Sequence, residues 1–133
     1  MSAWRLKAYW LPGGTCPIRD WYRTQDVSVQ AEFDATLATL EATVDWSDSK
    51  SFKGLKRDHA GLGEIRFLLE VKPSVRRFRP VGIWPPIVEG EFILLLGCEK
   101  QRNGVLIPED AFTLALNYKR QWEQGEGEIH DYV

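Results

Sequence analysis

Three short runs of apolar residues in the middle of the chain have the patterns of β-strands. Apolar and charged residues alternate over 64–71, which is typical of a strand with one buried face. A second run, 75–84, contains Pro80, which cannot donate a ladder hydrogen bond and so predicts an edge position, a bulge or an early end. The third run, 92–96, is apolar throughout, so we expect a central strand that is covered on both faces.

Further strand and helix patterns flank this central region. Residues 3–11 alternate as in a half-buried strand, whereas 17–25 are mixed and fit one helical turn or an irregular connection. Ser28 is a candidate N-cap for a helix that runs to about Val44, because apolar residues recur there at steps of three and four. We expect the last helix to open at Pro108 and to stop near the glycines that follow position 124.

The remaining segments complete the predicted organisation. Residues 46–55 have the composition of a loop, and the acidic tail, 126–133, is expected to be mobile. The order strand, helix, three strands and helix predicts an α+β fold in which a small, mostly antiparallel sheet packs against helices. A length of 133 residues fits a single domain, 1–133.

Charge is unevenly distributed along the chain. The formal net charge is −2, yet residues 50–102 hold eleven basic and six acidic side chains, a local charge of +5. The rest of the chain therefore carries −7. A basic segment within an acidic protein favours a polyanionic ligand for that segment.

Several other classes of chemistry lack the residues they need. Cys16 and Cys98 are far apart and outside any CxxC motif, so we expect free thiols, with Cys98 buried at a strand end. His59 and His130 have no second ligand at a metal-binding spacing, so we expect neither a metal nor another cofactor. The longest apolar run is far shorter than the roughly 20 residues of a membrane span. We therefore expect a cytoplasmic protein with no membrane partner.

Arginines are the side chains that best fit a binding site. Arg66 lies on the polar face of the first central strand, and Arg77 and Arg79 share one face of the next strand, with Arg76 on its other side. Cross-strand neighbours in a hairpin come close enough for their side chains to meet, so Arg66, Arg77 and Arg79 could converge. The alternative for each residue singly is a solvated arginine or one that pairs with a nearby glutamate.

Four sequence features together resemble a known family. They are LGEIRF, RRFRPVG, EFILLLGCEK and the helix that Pro108 opens. Their order and spacing are similar to those of the RelE/HigB superfamily of toxins from bacterial toxin–antitoxin pairs, particularly its phage-derived HigB-like branch. The resemblance implies a RelE-like fold, a small mixed sheet with two helices on one side. It also implies ribosome-dependent mRNA cleavage without a metal, in which the ribose 2′-hydroxyl attacks the adjacent phosphate.

The resemblance also implies site residues. Arg66 matches the arginine of the motif L-x-E-I-R, and Arg77 falls near the arginine of the family's third strand. The residues with implied catalytic roles are Arg66, Arg77, Lys100 and Arg102. The predicted RNA-binding residues are Lys53, Lys56, Arg57, Arg76 and Arg79.

The implied partners are ribosome-bound mRNA and a cognate antitoxin, expected to be a helix-turn-helix protein. Two alternatives to an mRNA interferase stay open. One is a non-catalytic protein that keeps the fold in order to bind an antitoxin-like partner. The other is a gyrase-directed toxin of the same fold.

Overall fold

The computed structural model describes residues 3–132, which form three α-helices and ten β-strands. The strands are β1 (Arg5–Trp10), β2 (Phe52–Gly54), β3 (Leu62–Ile65), β4 (Phe67–Val71), β5 (Ser74–Phe78), β6 (Val81–Ile83), β7 (Glu91–Leu96), β8 (Glu99–Lys100), β9 (Leu106–Ile107) and β10 (Glu128–Asp131). The α-helices are α1 (Pro17–Thr24), α2 (Val27–Glu41) and α3 (Ala111–Glu123). Two 3₁₀-helices, Trp46–Asp48 and Arg57–His59, lie in connections. The α+β prediction is confirmed, since helices pack against mostly antiparallel sheets.

The strands form two sheets, and the chain passes from one sheet to the other three times. The main sheet has the order β10-β1-β7-β6-β3-β2 and the small sheet the order β4-β5-β8-β9. Among the strands of residues 3–132, only β1 and β7 pair in parallel. The chain passes between the sheets at Arg66, at Arg79–Pro80 and at Gly97–Cys98. Backbone hydrogen bonds from Ile65 to Pro80 and from Arg79 to Cys98 hold these crossings side by side. We call this row of crossings the seam.

The seam corrects the prediction of a single strand over 64–71, and it divides the run 75–84 near Pro80. The halves of each run belong to different sheets. The strand ends early, before Pro80, which is one of the three outcomes that the proline predicted. A register shift follows at Val81 and Gly82. The edge position is excluded because β6 lies between β3 and β7.

The core lies on both faces of the main sheet. Phe92 and Leu94 of β7 face a cluster rich in aromatic side chains, whereas Ile93 and Leu95 face α3. β7 is therefore a central strand that is covered on both sides, as predicted. Within the aromatic cluster the rings of Trp4, Trp46 and Trp84 stack pairwise. We call these three residues the tryptophan stack.

Both long helices begin at residues other than those predicted. The carboxylate of Asp26, and not the hydroxyl of Ser28, caps α2 by accepting from the backbone N–H of Val29 at 3.1 Å. This helix ends at Glu41, so Val44 lies outside it and is 80% exposed. Its predicted apolar stripe is confirmed as far as Leu40. The last helix begins at Ala111 and not at Pro108.

Three segments have more regular structure than predicted. Residues 17–24 form a full helix, and the expected loop over 46–55 contains a 3₁₀-helix and β2. The tail forms β10, which pairs with β1, and Lys7 bonds to Asp131 at 2.6 Å. Two apolar side chains, Ile129 and Tyr132, pack on opposite core clusters and explain why this acidic segment is ordered. Residue 133 of the predicted tail lies outside the described residues.

Candidate nucleic-acid interface

A cavity of about 450 Å³ opens where the seam meets α2. Arg66, Arg77 and Arg79 all line it, together with Lys50. The other lining residues are Glu32, Thr36, Ser51, Phe67 and Leu68. We call this hollow the basic cavity. The three arginines that the strand pattern allowed to converge do meet here, because two of them lie at the seam and the third is two residues from it.

Among residues 3–132, Glu64 is the one charged residue that is buried, with 6% of its surface exposed. Its Oε1 accepts hydrogen bonds from Nε and Nη2 of Arg66 at 3.0 and 2.8 Å. The Nε of Arg79 lies 3.9 Å from the same oxygen. One carboxylate oxygen thus faces two guanidinium groups of the basic cavity. Alternation predicted Glu64 on the outward face, and nothing in the sequence pattern indicated its burial.

Arg79 is the most buried cation of the cavity, with 13% of its side chain exposed. Its Nη1 donates to the carbonyl of Phe78 at 2.9 Å, while its buried Nε has no acceptor among the described residues. Burial lowers the pKa of Arg79, the charge of Glu64 raises it, and Arg66 and Arg77 lower it further. A second negative group in the cavity would therefore stabilise the charged form of Arg79.

Arg77 is exposed and lies in the middle of a cross-strand row. Its Cα partners are Leu68 on β4 and Lys100 on β8. Within residues 3–132 its guanidinium group forms no hydrogen bond and no ion pair. Arg77 thus offers an uncommitted cation at the mouth of the basic cavity, with a lysine on the next strand.

Arg76 is on the opposite face of β5 and is already paired. Its Nε and Nη2 donate to the two carboxylate oxygens of Glu99 at 3.0 and 2.8 Å, and Asp26 lies 3.9 Å away. The Glu99 hydrogen bonds raise the pKa of Arg76. Its guanidinium group also lies 5.0 Å from the ring centre of Phe78. Arg76 therefore fits the alternative of an arginine that pairs with a glutamate.

The other predicted site residues are spread more widely. Lys100 and Arg102 border a second hollow of about 410 Å³ that also contains Arg76. Lys53 is exposed on β2 and is the Cα partner of Glu64. Lys56 and Arg57 are exposed in a connection and line neither hollow. Lys50 and Glu64 are at the cavity but are missing from the residues that the sequence suggested for it.

Cys98 lies at the seam behind the basic cavity. It is fully buried and free, as predicted, and its thiol donates to the carbonyl of Arg79 at 2.9 Å. Burial raises the pKa of Cys98 to about 12, and Glu64 adds to the increase. In the unfolded chain the same thiol ionises near its ordinary value of 9.0.

We expect this difference to make stability depend on pH in alkaline solution. The contribution of the Cys98 thiol is fully present below pH 9 and is lost as the pH rises through the folded-state pKa, because only the unfolded chain releases the proton. The loss is about 2 kcal/mol between about pH 9 and pH 10.5. Urea titrations of wild type and Cys98→Ala over this range measure it. Equal pH slopes in the two proteins would contradict the prediction, since the tyrosines titrate in both.

The basic cavity has the chemistry of an anion site. Guanidinium groups form charge-assisted hydrogen bonds to phosphate oxygens, and fixed positive charge stabilises the additional charge of a pentavalent phosphorus transition state. In the described part of the chain, no three His, Cys, Asp or Glu side chains are grouped so that they could hold a metal ion. No described helix is both long and apolar enough to cross a membrane.

The chain matches no model of a known protein family, and neither a similar curated protein nor a similar solved structure is found. The resemblance to RelE/HigB toxins therefore rests on four sequence features, LGEIRF, RRFRPVG, EFILLLGCEK and the helix predicted to open at Pro108.

Proposed function

We propose that this protein is the toxin of a toxin–antitoxin pair and cleaves ribosome-bound mRNA, with the basic cavity as its phosphate site. One observation carries the proposal. In a protein of net charge −2, Arg66, Arg77, Arg79 and Lys50 line a single cavity of about 450 Å³. Glu32 and Glu64 offset part of this charge, but Arg77 has no partner among residues 3–132, so the arrangement favours a polyanionic ligand such as RNA.

The cations suit an attack of the ribose 2′-oxygen on the adjacent phosphorus. That step forms a bond from the 2′-oxygen to phosphorus and breaks the bond to the 5′-oxygen, which leaves a cyclic phosphate and a 5′-hydroxyl. In the proposal Arg66, Arg77 and Arg79 stabilise the doubly charged transition state. Lys100, next to Arg77 across the sheet, donates the proton that the leaving 5′-oxygen takes up, and the 2′-hydroxyl proton passes to solvent. Arg102 contacts a neighbouring phosphate.

Expression in a bacterial host tests the proposal. We expect growth arrest within one doubling time and cleavage of translated messages, with 5′-hydroxyl ends that primer extension and end-labelling detect. The same messages without ribosomes should stay intact. Normal growth with intact messages, at a protein level confirmed by immunoblot, would contradict the assignment as an mRNA interferase.

One observation favours a second function, a non-catalytic protein that binds an acidic segment of an antitoxin-like partner. Arg66 is already bonded to Glu64, so part of the cavity's positive charge is neutralised within the protein. A carboxylate-rich peptide needs charge complementarity, whereas catalysis also needs correct orientation. Harmless overexpression together with retained binding of such a partner would support this alternative.

A further inference from the structure

We infer that Glu64 is a positioning residue of the basic cavity: its carboxylate holds the guanidinium group of Arg66 in the orientation that phosphoryl transfer requires, and its charge faces the guanidinium group of Arg79. The inference rests on the proposed function. It assigns a role to a carboxylate that would only weaken the site if the cavity merely attracted anions.

The hydrogen bonds of Glu64 come from Arg66, and its charge also faces Arg79. Arg66 and Arg79 lie at the seam, where the strands β3–β4 and β5–β6 are interrupted. Within a strand, side chains alternate regularly between the two faces of the sheet, and this alternation is interrupted at a crossing. Oε1 of Glu64 accepts two hydrogen bonds from Arg66, at 3.0 and 2.8 Å, and lies 3.9 Å from Nε of Arg79, so it orients the first guanidinium group and attracts the second by charge.

Glu64 itself is held by the main sheet. Its strand, β3, lies between β6 and β2, and its Cα partners are Val81 and Lys53. A carboxylate on a strand paired on both sides is a firmer support than one on a loop. Its burial leaves few other groups to satisfy it, since a buried carboxylate has to be paired and hydrogen-bonded.

The charge of Glu64 works against anion binding, and this makes the inference testable. Removing that charge raises the positive potential of the cavity, so electrostatics alone predicts tighter RNA binding and no loss of rate. A role in positioning predicts a fall in kcat while RNA binding is kept. A role only in folding predicts that binding and rate fall together with the folded fraction.

Two substitutions at position 64 separate the hydrogen bonds from the charge. Glu64→Met has similar length but no acceptor oxygen, whereas Glu64→Gln is equally neutral and keeps one. We expect Glu64→Met to lower kcat on programmed ribosomes about 100-fold, the scale of a misplaced catalytic group. We expect its Kd for a fluorescein-labelled single-stranded RNA to be unchanged or lower. Glu64→Gln should recover at least about tenfold of the lost kcat, because its amide oxygen still accepts from Arg66.

Glu70→Met is the matched control. Glu70 is exposed on β4, lines neither hollow and loses the same charge, but its side chain accepts no hydrogen bond from the described arginines. We expect its kcat to stay within about twofold of wild type. Thermal melting of each variant reports the folded fraction. If Glu64→Met does not fold, Glu64→Gln is compared with Glu64→Asp instead. The shorter side chain of Glu64→Asp withdraws its carboxylate from Arg66, so this variant should have the lower kcat of the two.

The outcomes distinguish the inference from the proposed function. Equal kcat for wild type and Glu64→Met, or equal kcat for Glu64→Met and Glu64→Gln, overturns the positioning role and leaves RNA cleavage in place. Parallel losses of kcat and RNA binding also overturn it. A wild-type protein that cleaves no message on the ribosome overturns the proposed function and the inference with it.

Discussion

Replacing Arg77 with alanine is expected to lower kcat/KM for ribosome-bound mRNA by about 100- to 1,000-fold, the usual effect of removing one group that stabilises transition-state charge. Arg77 lines the basic cavity, is exposed, and forms no ion pair within residues 3–132. Its loss should therefore leave the free energy of unfolding within about 0.5 kcal/mol of wild type. Single-turnover cleavage on programmed ribosomes and urea denaturation measure the two quantities.

Arg76→Ala provides the control for this prediction. Arg76 is the same residue type one position earlier, but it faces the other side of β5 and bonds to Glu99. We expect it to lose about 1 kcal/mol of stability or less, as for a partly exposed ion pair, and to keep cleavage within about threefold. Equal losses of cleavage in the two variants would show that the cavity does not define the site.

Replacing Trp46 with alanine is expected to lower the free energy of unfolding by about 4 kcal/mol, within the range for large aromatic residues in cores. Trp46 is 1% exposed and sits in the tryptophan stack, with ring centres 4.4 Å from Trp4 and 5.8 Å from Trp84. Its Nε1 also donates to the buried carbonyl of Leu40 at 2.9 Å, which would lose its partner. Urea denaturation followed by circular dichroism measures the change.

Val44→Ala is the control for the tryptophan stack. Val44 is two residues away from Trp46 in the same connection, but it is 80% exposed, so we expect a change within about 0.5 kcal/mol. A loss for Trp46→Ala as small as that for Val44→Ala would mean that the cavity closes by repacking and that the stack contributes little.

Features with a local period were predictable from the sequence. The unbroken apolar run of β7 predicted a strand covered on both faces. In the structure its side chains alternate between two core clusters, one on each face. The stripe of α2 followed from steps of three and four residues, although the cap did not, since Asp26 and Ser28 are both good capping residues. The α+β class follows from such local patterns taken in order.

Features that depend on distant parts of the chain were not predictable in this way. β10 forms because Ile129 and Tyr132 reach two separate clusters, which two isolated apolar residues in an acidic tail do not indicate. No proline in the sequence indicates the crossing at Arg66. This crossing lies beside the one at Pro80, whose carbonyl accepts a hydrogen bond from the backbone N–H of Ile65. The burial of Glu64 follows from that crossing, so the arrangement of the candidate site could not be derived from alternation alone.

The seam also determines where the length of this protein can vary. Arg66 and Arg79 lie at the crossings, whereas the turns at 72–73 and 101–105 lie at the outer end of the small sheet. An insertion in these turns, such as an epitope tag, would leave the distance in space between Arg66 and Arg79 unchanged. One residue added between Arg77 and the crossing at Arg79 would turn Arg77 to the opposite face of β5 and bring Arg76 to the cavity side in its place. Related chains should therefore differ in length at the two turns and keep the number of residues between Arg77 and the crossing at Arg79.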